Sequence, residues 1–280
     1  MRQITNLRYA HLQLVDAIRT MFAEKISRTR GYSGMLREAM SRHLYNSKLS
    51  KFVWFADRFG AAEMIRKPLR WLFAPVIIPR LARKTFSFQG ADLEYFYHRY
   101  NMTWACERCL EVPVGRFYLD QFHDRRVLEI GNVLSHYLSA GHDVLDKFER
   151  GIGIINQDVV DFTPAEPYDL AISLSTFEHI GFDDEASTPS DQKIRAALAA
   201  CRKFLAAEGK LVITVPIGYN PFLDRLIREQ ALEADREFYF VRTGFLSWQP
   251  ADQIRALEKQ YRRPFPYANA LLVAEFQAAS

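Results

Sequence analysis

Residues 125–137 read RRVLEIGNVLSHY. Two arginines give way to an apolar run, Val127, Leu128 and Ile130, which carries Glu129 one residue from its end and turns at Gly131 into a short helical pattern. A strand, a tight glycine turn and a helix start form the usual seat of a nucleotide-like ligand, because glycine lets the backbone approach closely. A pyrophosphate site asks for three glycines and a helix N-terminus facing the anion, with no acid just before the turn. Glu129 stands at that place, so the stretch predicts a ligand with positive charge. The plainer alternative is that Glu129 caps a neighbouring loop.

Working outward, HDVLDK after Gly141 predicts a second short strand ending at Asp146, and GIGIINQDVVDF a third ending at Asp158. YDLAISLSTFEHI predicts a strand from Asp169 to about Leu174, with Glu178 and His179 behind it, and KLVITVPIG predicts a fifth. FYFVRTGF and NALLVAEF supply two late strands. Between them fall helices with clear punctuation. Thr188 before Pro189 is an N-cap pair, and Ile194, Ala197, Leu198, Cys201 and Leu205 make an apolar stripe that Gly209 is expected to stop. Asn220-Pro221 starts another helix. Taken singly, Asp146 and Asp158 read equally well as solvated strand ends, and Asp169 as a structural residue at a strand start. As an ordered set at successive strand ends, they point to one ligand site.

V-L-E-I-G resembles motif I of the class I S-adenosylmethionine-dependent methyltransferases, and the ordered match covers residues 125–218. The resemblance implies an α/β fold with a Rossmann-like class I methyltransferase sheet, mostly parallel with an antiparallel C-terminal strand. It also implies S-adenosyl-L-methionine as cofactor, held by Glu129, Gly131, Asn132, Asp146, Asp158 and Val159. Asp146 would take the ribose hydroxyls, Asp158 the adenine amino group, and the Val159 amide would meet the ring. The family continues G-x-G after the first glycine, whereas the turn here reads Gly131-Asn132-Val133-Leu134-Ser135. Asn132 tolerates left-handed backbone better than most residues and Ser135 is small, which keeps a close approach open. The longer spelling YFYHRYNMTWACERCLEVP, with EIGNVLSHY, INQDVVDF, STFEHIG and VPIGYNP, is similar to a bacterial methyltransferase-like group linked to surface-polysaccharide and glycan biosynthesis. No defined substrate comes with that likeness.

Methyl transfer to a hydroxyl needs a positioned acceptor and a base. His179 is the expected base and Glu178 the residue that orients it; the plainer reading of His179 is a helix-start residue bonded to backbone. Tyr219 and Asn220, after the fifth strand, are expected to contact the acceptor, with Tyr100, Asn101 and Trp104 from the aromatic stretch before motif I. The function expected is therefore O-methylation of a small-molecule, sugar or glycan hydroxyl. One alternative is a catalytically degenerate methyltransferase-like binding or scaffold protein. An NAD-dependent sugar-nucleotide enzyme is another, opposed by Glu129 and by the lack of G-x-G-x-x-G.

At 280 residues, with 49% hydrophobic side chains, the chain suits one large core plus an extension. Residues 1–84 read as a basic, mainly helical extension, 85–124 as an aromatic-rich lead-in or lid, and 125–280 as the methyltransferase-like domain. Leu7, His11, Leu14, Val15, Ile18 and Phe22 predict one amphipathic helix in the extension, and residues 33–45 a second. Charge is uneven: residues 1–84 hold 17 Lys and Arg against 5 Asp and Glu, and the rest of the chain 20 against 28. Cys106 and Cys109 form a C-x-x-C, but Cys201 is the one other cysteine, so helix-face neighbours are expected and no metal. No secretory signal is read in the first twenty residues, and the expected location is the cytoplasm.

Residues 66–84 set an apolar run, Trp71 to Pro79, between Arg66, Lys67, Arg70 and Arg80, Arg83, Lys84. Such a run is too short to cross a bilayer, and its two prolines would break a spanning helix. Three readings stand: a peripheral contact with the inner face of the membrane, a site for an anionic substrate, or packing on the domain with charges in water. Nucleic acid ranks last, for want of a reading motif.

Overall fold

The computed structural model describes residues 61–81, 83–139, 141–182 and 191–279. The expected helices over 7–22 and 33–45 and the Thr188-Pro189 cap lie outside these residues. In chain order the elements are α1 (Ala61–Ile77), β1 (Thr85–Phe88), β2 (Ala91–Glu94), α2 (Arg108–Gln121), β3 (Val127–Ile130), β4 (Asp143–Leu145), β5 (Ile154–Ile155) and β6 (Tyr168–Leu174). They continue with α3 (Asp191–Lys203), β7 (Leu205–Pro216), α4 (Pro221–Arg228), β8 (Arg236–Gly244), β9 (Ser247–Ala251), α5 (Gln253–Leu257) and β10 (Ala270–Gln277).

Eight strands form one sheet in the order β5-β4-β3-β6-β7-β10-β8-β9. The pairs from β5 to β7 are parallel, while β10 runs antiparallel to both β7 and β8. This is the mostly parallel Rossmann-like sheet, with an antiparallel strand near the C-terminus, that the resemblance implied. Side chains alternate across it, so each apolar strand divides between two cores. Leu128, Ile130, Ala171, Ile213 and Leu272 meet Ile194, Ala197, Leu198 and Cys201 of α3 on one face. On the other, Val127, Leu170, Ile172, Val212 and Leu271 meet Leu110, Val112, Val114 and Tyr118 of α2.

Four local expectations are corrected. The chain after Gly131 makes only a 3-10 turn, Leu134–His136, before β4 begins at Asp143. The third strand is Ile154–Ile155 alone, which puts Asp158 in the turn beyond it. The α3 stripe ends at Lys203, and Gly209 lies inside β7 at a register shift, where a Cβ would come 2.8 Å from the Tyr168 carbonyl oxygen. Cys106 is extended and precedes α2, so the two buried, free thiols Cys106 and Cys109 do not share a helix face.

The lead-in packs against the α2 side of the sheet. β1 and β2 form a hairpin through Gln89 and Gly90, both at positive φ, and set Phe86 and Phe88 edge-on or tilted against Phe240. The Tyr95 hydroxyl accepts from the Trp248 amide at 3.0 Å and donates to its carbonyl at 3.1 Å, fastening the hairpin to β9. Among the described residues no helix is long and apolar enough to cross a membrane.

Candidate functional site at the strand ends

A cavity of about 540 Å³ opens at the C-terminal ends of β3, β4, β5 and β6, within the size range of small-molecule sites. Gly131, Asp146, Asp158, Val159, Thr176 and His179 are among its lining residues, and Asn132 lies on its wall. The sheet brings these residues together because parallel strands end on one edge, and β3 sits between β4 and β6 where the strand order reverses.

Gly131 is the residue that makes the turn. Its φ is +81°, its amide donates to the Leu145 carbonyl at 2.8 Å, and an added Cβ would overlap Thr176 Oγ1 and stand 2.8 Å from Thr176 Cγ2. Asn132 is not among the positive-φ residues, so the expected left-handed backbone belongs to Gly131 alone. Asn132 instead donates its amide to Asp146 Oδ2 at 3.2 Å, and its side-chain oxygen accepts from the Ser135 hydroxyl.

Glu129 does not line the cavity, and the expectation of a ligand contact there is corrected. Its carboxylate is fully buried beneath the turn. Oε1 accepts from the amides of Val133, at 2.6 Å, and Leu134; Oε2 accepts from the Ser135 amide at 3.3 Å and lies 2.8 Å from His142 Nε2. The side chain therefore ties down the backbone after β3 by accepting from three of its amides.

Asp146 follows β4 directly. Its Oδ1 accepts from the Phe148 amide at 2.8 Å and the Glu149 amide at 2.6 Å, and its Oδ2 takes the Asn132 amide. Three of roughly four lone-pair sites on the carboxylate are thus occupied, leaving capacity on Oδ2 for about one ligand donor rather than two. Asp158 Oδ2 lies 2.9 Å from Lys147 Nζ and 3.0 Å from Lys193 Nζ, and Oδ1 accepts from the Val160 amide at 3.2 Å. Partial burial works against the charge on Asp158, but the two ammonium groups and that amide outweigh it and hold the carboxyl below its ordinary range. Val159 is buried in the same turn.

His179 stands on the cavity wall after β6. Its Nδ1 lies 3.3 Å from the Tyr219 hydroxyl, with the rings edge-to-face at 5.1 Å. Nε2 is 3.7 Å from Glu178 Oε1, too far for a hydrogen bond. Glu178 is fully enclosed and does not line the cavity. Burial pushes its carboxyl up to about 8, with the His179 charge lowering it and Glu111 raising it, so at neutral pH it is largely a neutral acid. At that distance Glu178 does not hydrogen-bond to His179, and the expectation that it orients the ring is corrected.

The other expected acceptor contacts lie elsewhere. Asn220 is 1% exposed and caps α4: its Oδ1 accepts from the amides of Phe222, at 2.9 Å, and Leu223, and its Nδ2 donates to the Glu178 carbonyl at 2.9 Å. Trp104 is buried with Ala74 and Met102 under α1. Tyr100 is exposed and leans on His136 and Tyr137, and Asn101 is an exposed residue at positive φ. Neither Tyr100, Asn101 nor Trp104 lines the cavity; Tyr100 reaches its edge only through His136, which pairs with the lining residue Glu149 at 3.4 Å. Sequence reasoning passed over Thr176, which packs against Gly131, and the lysines that hold Asp158. The one local signal for Lys147 is its place next to Asp146, and Lys193, from α3, has none.

No family model matches the chain, and no curated protein matches it. Solved structures do. A TehB-like SAM-dependent methyltransferase from Corynebacterium glutamicum is 21% identical over 55% of this chain and 80% of its own, with a TM-score of 0.34. The N-methyltransferase NodS from Bradyrhizobium japonicum is 17% identical over 62% of this chain and 97% of its own, with a TM-score of 0.36. A SAM-dependent methyltransferase from Archaeoglobus fulgidus is 17% identical over 60% and 94%, with a TM-score of 0.37. The strand order and its antiparallel strand, rather than these matches, carry the fold.

Proposed function

We propose that the chain is an S-adenosylmethionine-dependent methyltransferase whose acceptor is a hydroxyl of a small molecule, sugar or glycan. The observation that carries this reading is the cavity at the sheet's switch point, with a left-handed glycine and two aspartates from successive strand ends on its wall. Its donor and acceptor set suits a nucleoside: Asp146 Oδ2 accepts a ribose hydroxyl, and Asp158 and the Val159 backbone stand where an adenine edge would lie. The cofactor supplies an electrophilic methyl on a sulfonium. The chain's own groups hold the acceptor and its proton.

His179 is the group that takes that proton. When its Nδ1–H donates to the Tyr219 oxygen, Nε2 keeps a lone pair for the acceptor hydroxyl. Tyr219, which is buried, thereby fixes the tautomer and the ring. Surface-glycan biosynthesis is the setting this reading favours, on the sequence likeness alone.

Calorimetry on the full chain with S-adenosylmethionine, S-adenosylhomocysteine and NAD tests the proposal. The first two should bind and NAD should not. Binding of NAD alone would move the chain to nucleotide-dependent redox chemistry. Binding of neither sulfur ligand at about millimolar concentration, corresponding to roughly 4 kcal/mol, would leave only a scaffold. His179→Ala should then abolish turnover on a hydroxyl acceptor while the affinity for S-adenosylhomocysteine stays unchanged.

A further inference from the structure

Helix α1 is amphipathic the wrong way round for a helix that merely packs on a domain. Ile65, Leu69, Leu72, Phe73 and Val76 fall within about 100° of arc on an ideal helix, and each is between 47% and 68% exposed. The opposite side carries the groups that touch the protein. Glu63 and Ala74 are buried, and Arg70 donates to the Glu63 carboxylate at 2.6 Å and 3.1 Å. Trp71, at the edge of the contact, lies under the Arg99 guanidinium at 3.4 Å. The docked side is thus partly ionic and the outward side apolar, through a helix that continues past Pro68 and Pro75.

Charge surrounds that outward face. Arg66, Arg80, Arg83 and Lys84 are exposed along α1 and the segment after it, and residues 61–84 hold six basic side chains against one acid. We propose that this face of α1 is an in-plane anchor for an anionic lipid surface, with the apolar arc in the acyl boundary and the flanking arginines and lysine at the headgroups. Charge selects this occupant. Residues 1–60 hold eleven basic against four acidic side chains, so that segment carries the same sign as the face it would have to cover. A second copy meeting α1 with α1 would bring together two basic faces, and one helix face falls short of the roughly 20–30 residues a side of a stable interface. Anionic lipid matches both the apolar arc and the basic rim. The proposal stands apart from the methyltransferase reading, since none of these residues lines the cavity.

The test is co-sedimentation of the full chain with phosphatidylglycerol and with phosphatidylcholine vesicles. Binding should be confined to the former at low salt and be largely released near 1 M salt, where the Debye length is about 3 Å. The variant Leu69→Ser/Leu72→Ser/Phe73→Ser should lose at least about tenfold in partitioning with an unchanged melting temperature, because those side chains already face outward. Arg80→Glu/Arg83→Glu should lose binding with the apolar arc intact. Absence of sedimentation with phosphatidylglycerol at low salt overturns the anchor, as does sedimentation that the triple variant leaves unchanged. A self-association in ultracentrifugation that the triple variant abolishes, without lipid binding, assigns the face to a second copy. A fall of several degrees in the triple variant's melting temperature, again without lipid binding, assigns it to the chain's own N-terminal residues.

Discussion

The cavity rim and the interior beneath α2 surround their carboxylates differently. At the rim, Asp146 is satisfied by three backbone amides and Asp158 by two lysines and an amide. Beneath α2, Glu107, Glu111 and Glu178 lie within reach of one guanidinium, Arg108, whose Nε is 3.6 Å from Glu111 and whose Nη1 donates to the Leu174 carbonyl at 3.1 Å. Glu111 accepts from the hydroxyls of Ser175 and Thr214, and Glu107 from the Ala268 amide at 3.1 Å. Burial and then the neighbouring Glu111 raise the Glu107 carboxyl, and burial raises Glu178 to about 8. A charge kept at the rim can serve a ligand; an acid in the interior serves best with its proton on. Glu129 is buried too, but three backbone amides and His142 surround it.

That ring of donors gives the largest expected effect. Glu129→Ala leaves the amides of Val133, Leu134 and Ser135 without their acceptor and should cost about 3–5 kcal/mol in urea unfolding, the range for breaking a buried charged network. A loss under about 1 kcal/mol would mean that those amides find other acceptors when the carboxylate is gone. Next is the turn itself. Gly131→Ala combines positive φ with the overlap on Thr176 and should cost about 1–3 kcal/mol, whereas Asn132→Gly should cost less than about 1 kcal/mol. Equal costs would mean that Asn132 shares the strain.

Glu178 tests the interior by pH. Its folded-state pKa lies near 8 against an ordinary 4.5, so between those values the folded chain keeps a proton the unfolded chain has lost. Its contribution to stability therefore falls as pH rises from about 5 through about 8. Glu178→Gln, a neutral isostere, should melt higher than wild type at pH 9, by upward of about 1 kcal/mol, and equal to it near pH 5. A difference of the same size at both pH values would mean the carboxyl is ionised in the fold. The change at the rim is read in ligand affinity rather than in stability. Asp146→Asn keeps one oxygen for the loop amides and should weaken S-adenosylhomocysteine by about 1.5 kcal/mol, with little change in melting temperature. Loss of folding instead would show that the loop amides claim the whole carboxylate.

Strand identity was readable because each strand writes its apolar run locally: Val127 to Ile130 and Leu170 to Leu174 needed only a period of two or an unbroken buried stretch. The cavity's aspartates followed from strand ends. Burial direction was not readable. Nothing in V-L-E-I-G says that Glu129 turns under the loop while Asp146 turns over it, since that depends on which face of the sheet each odd or even residue takes. The aromatic stretch misled for a related reason. Tyr100, Asn101 and Trp104 are polar or amphipathic residues of the kind a lid uses, but Trp104 fills the seam under α1, and Tyr95 bolts the hairpin to Trp248, through contacts far away in sequence. Asn220 looked like a site residue and is a helix cap, a role its neighbour Pro221 had already announced.

Three of the four strands that carry the cavity are the shortest in the sheet. β3, β4 and β5 have four, three and two residues and lie at one end, with a single 3-10 turn between the first two and no α-helix after either of the others before β6. Few backbone pairs hold that edge, so its amides should exchange with deuterium through openings smaller than global unfolding, while β6, β7 and β10 exchange only with the whole domain. A ligand seated across β3, β4 and β5 joins them as an extra layer of structure. Its binding should then slow exchange at Gly131, Asp146 and Asp158 far more than in the antiparallel half, and the gain should grow with free ligand concentration as mass action requires.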